Sequence, residues 1–264
     1  MIPSTFFFLF SELGVGMALT LLFMSPRVVG GGFFRFAGLT SAILLGIALG
    51  FNVLYPARDS AGLEPVIALL ISAVIMVAYS YTVDSGRFGP ALALLIVGSA
   101  AGLVSVGADA LAFAKLRQLG GWEGSLFLVN HVAATALLGS TMLTMVFGHW
   151  YLVIPKLSIE PLRSLTKFLM ATIAVRVAAM GLTFVAIGQR SIEFNRLAFS
   201  EGLFFWPRML FGVLVPVVLA GMIWSTVKLH HTQAATGLLY LAVVAVLFGE
   251  FFSKFLLFSV RLPL

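Results

Sequence analysis

Apolar residues in this chain neither alternate nor recur at the spacing of a half-buried helix. They run almost unbroken for 18 to 30 residues at a time, separated by short stretches rich in Gly, Pro and charge. A helix rises about 1.5 Å per residue, so runs of this length match the roughly 30 Å hydrocarbon core of a bilayer. The pattern predicts eight membrane-spanning helices over residues 5–24, 33–55, 66–83, 91–114, 126–155, 167–188, 204–229 and 235–260.

The connections carry the expected breakers. Ser25-Pro26-Arg27 and Gly30-Gly31-Gly32 close the first span, Pro56 the second, and the polar runs DSGRFGP and KLRQLGGWEG the third and fourth. A loop with Lys156, Glu160, Arg163 and Lys167 is expected after the fifth span. Residues 189–203 read as an interfacial amphipathic piece with Ile192, Leu197 and Phe199 on its apolar side. Pro216 should kink the seventh span, which ends at His230-His231.

Composition sharpens this picture. Of the 264 residues 61% are hydrophobic and only 10% charged, and the mean hydropathy is +1.10. The fold class is therefore all-α, a polytopic membrane protein with a single integral membrane domain and no soluble domain left over. The start, MIPSTFFFLF, has no basic segment or small-residue cleavage site, and reads as a first span and not a signal peptide. A net charge of +6 raises the question of nucleic acid. The basic residues lie scattered in short loops, which excludes nucleic acid as a partner and suits anchoring against anionic lipid. Cysteine is absent, so this chain itself holds no disulfide, iron–sulfur cluster or c-type haem.

Eight spans place both ends of the sequence on one side, A, opposite side B. Side B carries Arg27, Arg35, Arg87, Lys156, Arg163, Lys167 and Lys228; side A carries Arg58, Lys115, Arg117, Arg190, Arg196, Arg208 and Arg261. Seven against seven leaves the orientation open. A charged connection at the centre of a four-plus-four arrangement is compatible with two four-helix bundles in tandem.

The fifth span organises the chemistry. His131 and His149 lie 18 residues apart, on one helical face and about 27 Å apart along it. The stripe between them contains Thr135, Leu138, Met142 and Met145. Ionisable residues inside spans cost free energy unless paired and so default to functional candidates; here they are Glu12, Asp109, Arg176, Glu250 and Lys254, with Asn130 and His131 at one boundary. Threading each span in its direction places Glu12, Asp109, His131, Glu250 and Lys254 in the half nearer side A, where they can carry protons. Structural readings stand beside this one. Glu250 and Lys254 have the spacing of an ion pair within one helix, and Asp109 and Lys254 can snorkel to the boundary.

His149, Trp150, Tyr151, His230 and His231 gather at side B. A quinone needs a hydrogen-bond donor at each carbonyl and a flat apolar wall, and His, Tyr and Trp supply both. The same residues leave two alternatives open: an interfacial aromatic belt, and axial ligation of a haem b by His149 with His230 or His231.

The eighth span, LAVVAVLFGEFFSKFLLFSVRLPL, resembles the closing helix of eight-span membrane anchors of the dimethyl sulfoxide reductase and polysulfide reductase (NrfD-like) type, through Gly249, Glu250, Lys254 and Phe258. The seventh span is similar to that family through Phe205, Trp206, Gly212 and Pro216, and the first through Glu12 and Gly16. The resemblance implies a subunit that binds menaquinone or ubiquinone near side B. It further implies docking of an iron–sulfur subunit there, beside the catalytic subunit of a respiratory complex in the bacterial inner (plasma) membrane. In that setting His149 would bond a quinone oxygen, Trp150 or Tyr151 would line the ring, and Lys156 and Arg163 would help dock the partner. A transporter or structural accessory subunit is the remaining alternative.

Overall fold

A computed structural model describes residues 2–55, 62–116, 121–154, 157–188 and 202–260. Among these residues there are no strands, and eight helices are long and apolar enough to cross a membrane. The protein is an all-α polytopic membrane protein, and this follows from its solvent. Backbone groups in hydrocarbon must bond within their own segment, which an apolar helix does without help.

The spans run Ile2–Leu21, Gly31–Leu54, Glu64–Asp84, Phe88–Leu116, Gly121–Val153, Glu160–Gly188, the composite Gly202–Lys228, and Thr232–Val260; a single helical turn, Pro26–Val29, links the first two. The expected boundaries hold to within a few residues except at the sixth span. That helix begins at Glu160, so Glu160, Arg163 and Lys167 lie on its first two turns and not in a loop. Glu160-Pro161 explains the early start: a carboxylate and a proline are both favoured in a first helical turn. The expected amphipathic piece at 189–203 lies almost wholly outside the described residues, as does Lys156.

Packing resolves the chain into two four-helix bundles. The first four spans form a closed ring in which the first contacts the second and fourth, and the third contacts the second and fourth. The last four repeat the pattern, with the fifth against the sixth and eighth, and the seventh against the sixth and eighth. The rings meet where the first span packs on the fifth and eighth, and the fourth on the fifth. Of the apolar stretch of each span, 78% is buried in the first and 67% in the fifth, against 33–39% in the second, third, fourth, sixth and seventh. The first and fifth spans are thus the shared core, and the others face lipid with Ile43, Val74, Val104, Leu182, Val218 and Leu241 among their exposed side chains.

That central crossing depends on two missing side chains. Gly16 of the first span and Gly139 of the fifth touch backbone to backbone, and a Cβ on either would overlap the other. In lipid, helices associate by close packing more than by a hydrophobic force, which makes such small-residue contacts the joints of the fold. A second joint pairs Gly212 with Gly249.

The seventh span is not a uniform α-helix. A π-helical turn at Leu210–Leu214 interrupts it just before Pro216. A proline ring clashes with the carbonyl four residues back and leaves it without its N–H, and a wider turn there relieves both problems. A kink is expected at Pro216, and what the seventh span carries there is this π turn.

The glycine joint gives a direct test. Gly139→Ala should destabilise the purified protein by about 1–3 kcal/mol through overpacking, whereas Gly181→Ala, with open space around it, should stay within about 0.5 kcal/mol. Thermal unfolding in detergent compares the two, and equal melting temperatures would show that the bundles do not rely on this contact.

Candidate functional site

Buried charges in the half nearer side A form two clusters. The first joins the bundles. Glu12, from the middle of the first span, reaches into the second bundle and is wholly buried. Its Oε1 lies 2.5 Å from Lys254 Nζ and 2.5 Å from His131 Nδ1, while Lys254 Nζ is 3.2 Å from that same ring nitrogen. Phe8 and Phe127 flank the imidazole at 5.3 and 6.1 Å between ring centres. Asp109, on the fourth span, is also buried and interacts electrostatically with Glu12.

These distances constrain the protons. His131 Nδ1 either carries a hydrogen and donates to Glu12, or is bare and accepts from Lys254. It cannot do both at once. Three basic atoms therefore contend for protons over 2.5–3.2 Å, within the reach needed for direct transfer.

The second cluster lies inside the C-terminal bundle. Arg176 grips Glu250 with a two-pronged contact, Nε to Oε1 at 2.9 Å and Nη2 to Oε2 at 3.0 Å. Its Nη1 donates to Asn130 Oδ1 at 2.6 Å and its Nη2 to Ser253 Oγ at 3.2 Å. Asn130 then donates to Thr183 Oγ1 at 2.9 Å. Arg208 of the seventh span also reaches this carboxylate, with Nη2 3.2 Å from Glu250 Oε1. That contact is an ion pair without the alignment of a hydrogen bond. Arg208 is fully buried and lies across Gly212, whose missing side chain provides the room.

Glu12, Asp109, His131, Glu250 and Lys254 are thus all buried and fall into these two clusters. Their pairing differs from the ion pair that spacing suggested within the eighth span. Lys254 bonds Glu12 of the other bundle, and Glu250 bonds arginines of the sixth and seventh spans. An i,i+4 pair gains only about 0.2–0.5 kcal/mol, far less than a buried charge loses if its interhelical partner is abandoned. Nor does Lys254 snorkel; it is buried with its ammonium turned inward. Arg208, counted among the flanking charges of side A, is instead the residue that sequence reasoning missed. Its signal was its place inside the seventh span four residues before Gly212, which fits a long side chain folding back over a bare turn.

At side B the run Gly148-His149-Trp150-Tyr151 does not form one pocket. Successive helical residues point about 100° apart, and the three side chains diverge accordingly. His149 is exposed and its Nδ1 lies 3.2 Å from the hydroxyl of Tyr240 on the eighth span. Trp150 packs against Phe33 and Phe36 of the second span. Tyr151 alone joins His230 and His231, and with Leu152, Thr232, Gln233 and Ala234 they line an open depression of about 420 Å³.

The floor of that depression is held by an unusual turn. His230 has φ +59°, the left-handed conformation that ends many helices but normally falls to glycine. The His231 amide reaches back 3.0 Å to the Thr226 carbonyl, closing the turn. Any side chain but glycine pays roughly 1–2 kcal/mol there, and strain of this kind concentrates at binding sites. Among the described residues no group of three or more His, Asp or Glu side chains is arranged to hold a metal ion.

The triad is open to a double-mutant test. Glu12→Gln or Lys254→Met alone should destabilise the protein by about 3–5 kcal/mol, because each strands a buried charge. The double variant should lose less than the sum. Additive losses in thermal unfolding would show that the two side chains do not interact.

Comparison of the chain with protein-family models returned no match, and comparison with curated proteins returned none either.

Proposed function

We propose that this protein is the quinone- or quinol-binding membrane anchor subunit of a respiratory oxidoreductase in the bacterial inner membrane. It would pass electrons between menaquinone or ubiquinone and an iron–sulfur subunit docked at side B. The observation that carries the reading is the depression lined by Tyr151, His230 and His231. Its volume of about 420 Å³ suits a ring-sized ligand, and phenol, imidazole and the Gln233 amide are donors of the kind that quinone carbonyls require. The resemblance of the first, seventh and eighth spans to NrfD-like anchors supports the same reading.

The headgroup contacts are assigned to Tyr151, His230 and His231. His149 instead meets Tyr240 outside the depression, and Trp150 packs on the second span. Quinone reduction takes up protons and quinol oxidation releases them. The Glu12–His131–Lys254 cluster exchanges those protons with side A. Asp109 biases the cluster electrostatically. Glu250 sets the field from its place between Arg176 and Arg208. Replacing Glu250 by Gln would remove the negative charge that the buried Arg176 and Arg208 share, so that variant should damage assembly as well as turnover.

Proton-coupled solute transport is a second reading, favoured by the position of the Glu12 cluster at the junction of the bundles. Rocking one bundle against the other would break and remake those contacts. A haem b carrier would need His149 to leave Tyr240 and meet His230 or His231.

Purification in mild detergent separates the three. The anchor reading predicts co-purification of an iron–sulfur protein, extractable quinone and no Soret absorption. Tyr151→Phe combined with His231→Ala should lower retained quinone about tenfold, the cost of losing two hydrogen bonds of about 0.5–1.5 kcal/mol each. Unchanged quinone retention in that variant would remove the depression as the binding site. A Soret band lost in His149→Ala would establish the haem carrier, and a colourless chain with proton-driven uptake the transporter.

A further inference from the structure

A cationic site of a different kind lies on the lipid-facing side of the second bundle at side B. Lys167, two turns into the sixth span, and Lys228, the last residue of the seventh, both direct their ammonium groups at one indole. Each Nζ is 5.7 Å from the centre of the Trp224 ring. The lysines are exposed and the indole is half-buried. Arg163 lies one turn nearer the surface on the face of the sixth span that carries Lys167.

Two like charges drawn to one ring repel each other, and the ring's cation–π attraction offsets only part of that. Carboxylates do not supply the rest. Side B holds two acidic residues among those described, Asp84 and Glu160, and they are engaged by Arg35 and Arg163 at 2.8 Å each. Among the described residues, therefore, no side B carboxylate is left to compensate Lys167 and Lys228.

What lies below the lysines identifies the compensating group. Deeper along the same two helices, beyond an exposed Ser225 beside the indole, the exposed large side chains include Met170, Val175, Val217, Val218 and Met222, all apolar. The surface reads as a cationic clamp at the membrane boundary above an apolar strip running inward. That order matches one amphipathic molecule, with an anionic head and hydrocarbon chains. We propose that Lys167, Lys228 and Trp224 form a binding site for an anionic phospholipid. The phosphodiester lies between the two ammonium groups, the indole sits at the headgroup level, and the acyl chains cover Val218 and Met222. An acidic protein partner would meet the lysines but would leave the apolar strip unexplained.

This site does not depend on the quinone reading and is tested without it. The purified full-length chain in neutral detergent is titrated with dioleoyl phosphatidylglycerol, with dioleoyl phosphatidylcholine, or with inorganic phosphate, following thermal unfolding and lipid retention in native mass spectrometry. The proposal predicts retention of phosphatidylglycerol over phosphatidylcholine and no stabilisation by phosphate alone. Each lysine near a charged surface contributes about fivefold, so Lys167→Gln with Lys228→Gln should cut the preference about thirtyfold. Lys167→Arg with Lys228→Arg should retain it. Both lysines are exposed, so the variants leave the core untouched. Equal retention of the two lipids by the unmodified protein would overturn the proposal, as would full preference in the Gln variant. Stabilisation by phosphate alone would overturn it in favour of a free-anion site. An acidic protein lost from the Gln variant while lipid preference stays unchanged would overturn it in favour of a docking surface.

Discussion

The carboxylate of Glu12 is wholly buried midway along the first span, and it is held by two groups from the opposite bundle. An isolated ion in such a place costs several kcal/mol. The first span, the fifth and the eighth must therefore stay in register to within a hydrogen-bond length. The glycine joints follow from this constraint. Gly16 lies one turn beyond Glu12 and meets Gly139, and Gly249 precedes Glu250 and meets Gly212. Each ionic cluster stands beside a backbone-to-backbone crossing. Short side chains such as Glu and His reach each other across helices only where the backbones come close.

The two faces of the membrane domain consequently differ in character. The half nearer side A is closed and charged, with Glu12, Arg176, Arg208, Glu250 and Lys254 buried among one another. Side B is open, aromatic and histidine-bearing, with its depression and its paired lysines on the surface. Between them the fifth span contributes buried hydroxyls at Thr135, Ser140, Thr141 and Thr144, and Ser140 also contacts Thr172 of the sixth span at 2.8 Å. Most of these hydroxyls bond their own helix's carbonyls, an ordinary way to satisfy them in lipid. In the proposed function, ligand chemistry belongs to side B and proton chemistry to the cluster around Glu12.

The spans were legible in the sequence because the bilayer leaves so few alternatives: length and apolarity suffice. Depth was legible too, since threading each helix by its rise puts Glu12, His131, Glu250 and Lys254 in the same half. Partnership was not. The four-residue spacing of Glu250 and Lys254 looks like a pair, but the angle at which each side chain leaves its helix is fixed by packing with other spans. Arg208 read as a flanking charge because its distance from the span end was known and its burial was not. His149, Trp150 and Tyr151 looked like one site because they are adjacent in sequence, and helical geometry sends adjacent residues to three different neighbours. The sixth span's early start was within reach, since Glu160-Pro161 is a helix-opening pair.

The central claim is that the Glu12–His131–Lys254 cluster handles the protons of quinone chemistry. Its most direct test is the infrared difference spectrum between oxidised and reduced quinone bound to the purified protein. The account predicts carboxyl and imidazole bands that change with the quinone, with the carboxyl band absent in Glu12→Asp or shifted from its place. A spectrum showing quinone bands alone, with the protein's carboxyl and imidazole region silent, would contradict it.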